Sequence, residues 1–370
     1  MSPGPTPEGV AALPAAAAGG SAPPPMSVLQ RRLRKFRRIR RGSYSFVLLL
    51  GCYVLSFGTH FLISDKALAV KYQGEYYFPA FGNFYEAKQF GQRRIGEAHY
   101  RSLQTQFREA AAGNWVLMPL YPYGPFENLL RELEGPPPHK PSARHWLGTD
   151  DRGRDVFARL VYGFWYSLTF ALGVVLTAYT IGVIVGACFG FFGGRVDIYG
   201  QRLVEIWAAL PFLYTVMIVS NILQPGLAVL IVLVALFSWV GITYYMRGEF
   251  YREKARDYVS AAIAQGESRL SIMFRHILPN SLTPIISFAP FALVGAITAI
   301  VSLDFLGLGL PAPTPSWGEM MDQGLRYITA GDYHLILSPA IALTVTLMMV
   351  VFIGEAVREA FDPKVFSRLR

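Results

Sequence analysis

Three aspartates stand close together in HWLGTDDRGRDVFARLVYG, residues 145–163. Asp150, Asp151 and Asp155 have the chemistry to hold a divalent cation, since hard cations take carboxylate oxygens. A calcium loop of the helix–loop–helix type closes with a glutamate at its twelfth position. Counted from Asp150, that position is Val161, so no metal site is expected. The alternative is a helix start. Thr149 or Asp150 would cap it, further acids would sit in its first turn, and Val156, Phe157, Leu160, Val161 and Phe164 would form an apolar interfacial face. Asp304 is a second ionisable candidate, at the end of a long apolar run, where such a group is a functional candidate by default. Other chemistry is missing from the sequence. It contains no GxxxxGK[ST], HExxH, GxSxG or CxxC. The chain is therefore not a P-loop ATPase, and nothing in it argues for covalent catalysis.

The elements around these residues are those of a membrane protein. The 370 residues are 52% hydrophobic and only 16% charged, against about 25% charged in a soluble domain. Mean hydropathy is +0.33. The net charge of +9 is explained by basic cytoplasmic loops and does not call for nucleic acid. Cys52 and Cys188 both fall in apolar runs, so no disulfide framework is expected.

A hydrocarbon core of ~30 Å needs roughly 20 apolar residues as a helix. Six segments qualify: 44–63, 164–192, 203–223, 227–246, 284–303 and 335–354. Eight Lys and Arg in RRLRKFRRIRR, 31–41, precede the first and place the N-terminus in the cytoplasm. Six crossings return the C-terminus there, together with the basic loops 193–202 and 247–283. The expected fold is all-α and polytopic, with a small mixed periplasmic insert. Its parts are an unfolded extension at 1–28, a basic segment and first span at 29–63, the insert at 64–163, the transmembrane core at 164–354 and a cytoplasmic tail at 355–370. Met26 is a candidate start. VKYQGEYYFP predicts a hairpin turning at Gln73-Gly74, and EGPPPHKP, 134–141, a rigid linker. Gly182, Gly186 and Gly190 recur every fourth residue and predict a close helix–helix contact with no partner named.

One charged stretch lies between two apolar runs: DYVSAAIAQGESRLSIMFRHILPN, 257–280. Ala261, Ala262 and Ala264 favour a helix. Gly266 suits its C-terminal cap, and Ser268 the N-cap of a second helix. Leu270, Met273, Phe274 and Ile277 then make one apolar stripe. Pro279 is expected to end this helix, and Pro284 to open the next span. Read bottom-up, the elbow docks on another protein or lies on the membrane surface.

This stretch resembles the cytoplasmic loop of ABC importer permease subunits: Glu-Ala-Ala, three residues, Gly, nine residues, Ile, one residue, Leu-Pro. Ala261, Ala262, Gly266, Leu278 and Pro279 match; Ser260 replaces the Glu and His276 the Ile. The segment 145–163, with Gly148, Thr149, Asp150, Gly153, Arg154 and Asp155, is similar to the C-type permease of the oligopeptide/dipeptide/nickel branch, as is SLDFLGLGLPAPTPSWGEMM, 302–321. VKYQGEYYFPAFGNFYEAKQFG and GEAVREAFDP look like Yej-type permeases, a subfamily associated with peptides and microcin C.

The resemblance implies a permease subunit for peptide import across the bacterial inner membrane. It implies that residues 258–279, including Glu267, Ser268, Leu270, Met273 and Phe274, couple to an ATPase. It implies as partners a second homologous permease, two ATPases that bind ATP and Mg, an external peptide-binding protein, peptide and membrane lipid, and no cofactor in this chain. Asp304 and Trp317 become candidates for an outward substrate pathway. The rival from another class is an ion-coupled secondary transporter, for which buried midplane charges and inverted repeats would be expected. The second, fourth, fifth and sixth spans have charge-free centres, and no internal repeat is visible.

Overall fold

The computed structural model describes residues 28–110 and 113–361. The expected extension 1–28 lies almost wholly outside these residues, as does the end of the tail, 362–370. Two N-terminal helices, α1 (Val28–Arg38) and α2 (Arg40–Ser56), are followed by the short α3 (Thr59–Leu62). The insert then holds β1 (Ala69–Tyr72), β2 (Glu75–Tyr77), α4 (Tyr100–Ala110) and β3 (Trp115–Leu117). The bundle follows as α5 (Val156–Phe192), α6 (Gly194–Ala208), α7 (Phe212–Leu223) and α8 (Leu227–Lys254). Next come α9 (Asp257–Ala264), α10 (Arg269–Ser271), α11 (Leu278–Phe305), α12 (Trp317–Tyr327) and α13 (His334–Phe361).

Among the described residues, four stretches are long and apolar enough to cross a membrane: α5, α8, the run Arg269–Phe305 and α13. A fifth crossing forms if α6 and α7 count as one span, bent by 65° between them. The third span expected at 203–223 is thus a bent pair. Pro211 has no N–H to donate and stands at the N-cap of α7. The expected first span is also broken: α2 has 17 residues, about 25 Å of helix, and α3 follows after Phe57-Gly58.

The glycine stripe finds its partner in α8. A Cβ at Gly182 would lie 2.6 Å from the Trp239 carbonyl oxygen, one at Gly186 2.5 Å from that of Thr243, and one at Gly190 2.6 Å from that of Arg247. The matched residues rise together along both helices, so α5 and α8 run parallel with backbones almost touching. At the other end of the chain, Gly42 of α2 packs on Ala356 of α13, and Arg41 lies 3.9 Å from Glu355. The basic N-terminal helices, the end of α13, the ends of α5 and α8 and the elbow thus share one end of the bundle. The insert and the loop before α12 occupy the other.

In the insert, the predicted hairpin forms, with Val70 opposite Tyr77 and Tyr72 opposite Glu75. A third strand, not anticipated, adds on β1's other edge and gives the order β2-β1-β3, all antiparallel. Val70, Phe90, Tyr100, Leu103, Phe107 and Val116 make this unit's own small core.

Candidate functional site

The elbow is built as two helical pieces joined by a glycine turn. Gly266 has φ +75°. Its N–H donates to Ile263 O (3.0 Å), and the next N–H, of Glu267, donates to Ala262 O (3.2 Å). These two bonds close the left-handed C-terminal motif that favours glycine. Ser268 caps the next piece, its hydroxyl accepting from Ser271 N at 3.3 Å. His276, one of the two departures from the resemblance, meets Glu267 across the turn at 2.9 Å, and Ser271 Oγ donates to the same carboxylate at 2.7 Å. The Ser271 hydroxyl, then His276, hold the Glu267 carboxyl below its usual range.

Beyond Ser271 the helix widens into a π-turn over Ile272–Ile277 and runs directly into α11. Pro279 does not end it, and Pro284 lies inside it. Each proline lacks a backbone donor; just after Pro279, two side chains bond back to the preceding turn, Asn280 Nδ2 donating to His276 O (2.8 Å) and Ser281 Oγ to Ile277 O (3.0 Å). The wider turn also splits the expected apolar stripe. Met273 and Ile277 are buried with Ile272, whereas Leu270 and Phe274 are exposed.

The buried side of the elbow, Val259, Ala262, Ile272, Met273 and Ile277, packs on Ala187 and Phe191 of α5 and on Ile242, Met246 and Phe250 of α8. Asp197 of α6 fastens the same corner: both its carboxylate oxygens accept from Arg247 at 2.6 Å, and one also accepts from Tyr251 (2.6 Å). The outer side presents Ser260, Ala261, Ala264 and Gly266, together with Ile263, Leu270 and Phe274 at 59%, 64% and 45% exposure. A rigidly mounted, unpartnered apolar surface is the product.

At the opposite end, residues 145–159 form a buried ionic latch. Asp155, rather than Thr149 or Asp150, is the N-cap of α5: one oxygen accepts from Ala158 N at 2.8 Å. Its other oxygen accepts from Tyr121 Oη (2.7 Å) and faces His145 Nδ1 (2.8 Å). Asp150 instead folds back on its own loop, accepting from Arg154 N (2.8 Å) and Arg154 Nε (2.7 Å). Thr149 Oγ1 accepts from His139 N (3.0 Å), Gly148 O from Val156 N and Gly153 O from Leu129 N. Arg159, fully buried, donates to Pro125 O, Pro313 O and Glu319. Asp150 and Asp155 therefore turn to separate partners instead of converging. The latch ties together the insert, the start of α5 and the loop before α12.

Asp304 and Trp317 are placed in the same region, and both are buried. Asp304 accepts from Leu310 N (2.7 Å) and Ser316 Oγ (2.5 Å), and Ser316 caps α12. Trp317 Nε1 donates to Leu160 O at 2.9 Å, with the ring against Gly163. In this conformation both fasten the 306–316 loop to the bundle.

Sequence reasoning missed one constellation altogether. In the insert, His99, Glu127 and Glu132 bring ligand atoms within 4.8 Å of one another. The guanidinium of Arg101 stands among them, 2.6 Å from Glu127 and 2.9 Å from Glu132. No spacing signal marks residues so far apart in the chain.

A polytopic bundle with a rigidly mounted elbow at one end and a latched extramembrane insert at the other defines a membrane transport permease. Residues 178–367 match the family described as "Binding-protein-dependent transport system inner membrane component". The chain belongs to this family. It is 38% identical over 91% of its length to the inner membrane ABC transporter permease protein YejE of Escherichia coli (strain K12), 97% of which is covered. It is 37% identical over 90% of its length to the peptidoglycan transport system permease protein YejE of Agrobacterium fabrum, covering 93% of that protein. It is 35% identical over 69% of its length to the dipeptide transport system permease protein DppC of Bacillus subtilis, covering 82%. The protein is thus a multi-pass inner-membrane transport component, and its family implies an ATPase and a substrate-binding protein as partners. This sets aside the secondary transporter.

Proposed function

We propose that this chain is one of two pathway subunits of an ABC importer for peptides, including peptide antibiotics such as microcin C. It performs no chemistry itself. Two ATPase subunits bind ATP and Mg, a second homologous permease completes the pathway, and a periplasmic or lipid-anchored binding protein delivers the peptide. The observation that carries this reading is the elbow: its inner face is locked to α5 and α8, and its outer apolar face, Ile263, Leu270 and Phe274, is left open. ATP-driven closure of the ATPases would push that face and tilt the helices mounted behind it, a rigid-body transition between packed states. The basic end of the bundle is cytoplasmic in this reading, with both termini there, because basic residues flanking spans stay inside. The relatives named for dipeptide and peptidoglycan transport support a peptide or a peptide-bearing cell-wall fragment as cargo.

The test is co-purification of the complex and uptake into proteoliposomes. ATP-dependent entry of short peptides or muropeptides, abolished by a Walker-site mutation in the co-purified ATPase, is expected. Entry driven by a proton gradient without ATP would overturn the assignment.

A further inference from the structure

The insert contains a recess of about 1290 Å³, between α4 and the 123–132 segment. Its charges are not evenly satisfied. Glu127 and Glu132 are neutralised from within the fold by Arg101 and His99. Asp65 is treated differently from the other acids of the recess. Glu97 Oε1 pairs with Lys66 Nζ at 2.9 Å. Asp65 has no ion pair among the described residues; its carboxyl accepts from its own backbone N–H, with Arg101 only at longer range. Beside them stands Tyr100, only 2% exposed, whose hydroxyl has no hydrogen-bond partner. Leaving a buried hydroxyl unpaired costs about 1–3 kcal/mol, so a phenol lining a cavity without a partner points to a group that arrives from outside. Burial, with Glu127 nearby, pushes the Asp65 carboxyl up, as expected where an acid lacks its counter-cation. At the mouth, Arg93, Arg94 and Arg131 are exposed and have no acidic partner among the described residues.

An acidic floor with an open acceptor and a basic rim is the complement of a zwitterion. We propose that this recess binds a short peptide by its two ends. Asp65 and the Tyr100 oxygen accept from the α-ammonium, and the rim arginines hold the carboxylate. The volume exceeds the ~300–1,000 Å³ of small-molecule pockets, enough for a few residues of peptide. The choice of ligand rests on the peptide-transport reading above. The site is separate from the membrane pathway and holds cargo on the outer face of the permease.

The experiment is calorimetric titration of the full-length chain in lipid nanodiscs with trialanine, N-acetyl-trialanine, trialanine amide and putrescine. Trialanine is expected to bind. N-acetylation should weaken binding at least ~10-fold and amidation several-fold, in line with loss of charge-assisted hydrogen bonds. Tyr100→Phe, which removes a single unpaired oxygen, should weaken it ~5-fold, and Asp65→Asn by more. Equal affinity for the acetylated peptide, absence of trialanine binding, or putrescine binding as tightly as trialanine would each overturn the proposal. The ligand series on the unaltered protein keeps the test valid even if a variant misfolds. ATP-driven uptake in the reconstituted complex is read separately, so loss of the recess would leave the importer assignment standing.

Discussion

Replacing Gly266 by valine should uncouple the permease from its ATPase without disturbing membrane insertion. A Cβ at Gly266 meets nothing within 4 Å, so crowding contributes nothing and the whole effect is carried by the backbone. At φ +75° an L-residue costs ~1–2 kcal/mol, and a β-branched one falls at the upper end. If the turn opens instead, the bonds from Gly266 N and Glu267 N are lost at about 1 kcal/mol each. Either route disfavours the bent elbow by ~2 kcal/mol, or roughly 30-fold in population at 1.4 kcal/mol per tenfold. Asparagine tolerates this conformation and should cost least, alanine more and valine most. The assay is ATPase retained on affinity-purified permease, together with ATP-dependent peptide uptake, across Gly266→Asn, Gly266→Ala and Gly266→Val. Protease protection of the loops reports insertion, which should not change. Full coupling in the valine variant, or an order that follows side-chain size with no allowance for asparagine, would refute the reasoning.

Two further outcomes are expected. Gly186→Ala places a methyl 2.5 Å from the Thr243 carbonyl oxygen and 2.8 Å from Met246 Cβ; it should cost ~1–3 kcal/mol in a detergent melt of the full chain, whereas Gly241→Ala, with open space around it, should not. His99 is pushed up to about 9 by Glu127 and Glu132. Its folded-state value lies above the ~6.5 of an unfolded histidine, so its contribution is complete below pH 6.5 and lost as pH rises through 9. Hydrogen exchange of the 99–132 region should accelerate over that window, by the ~1.5–3 kcal/mol of a charged hydrogen bond, and His99→Gln should flatten the profile.

Much of the elbow was legible because its signals are local. Gly266, Ser268 and the alanines act on their immediate neighbours, and the structure places the turn and the cap where they fall. The π-turn was not legible, since prolines 279 and 284 read as breaks, and no residue spacing announces the wider turn that carries the helix past them. The choice of Asp155 over Thr149 and Asp150 as N-cap was equally hidden. Three oxygen-bearing side chains offer themselves in one loop, and the choice is made by Tyr121, 34 residues upstream. The same distance problem conceals β3, whose pairing with β1 has no turn to announce it, and the recess floor, where Asp65 meets Glu97 and Tyr100 from a different segment. The glycine period announced a contact, but α8's matching face shows no complementary spacing.

The parallel contact between α5 and α8 has a mechanical consequence. Each glycine notch receives one backbone carbonyl of the opposite helix, in step, at 182, 186 and 190. Sliding by a single residue would drive a side chain into every notch at once, and the next permitted setting lies a full turn away, ~5.4 Å along the axis. The two helices therefore behave as one stiff beam, ~55 Å long from the 37 residues of α5. A displacement at its inner tip would be carried along the beam toward the latch, where Asp155 and Arg159 anchor the far end.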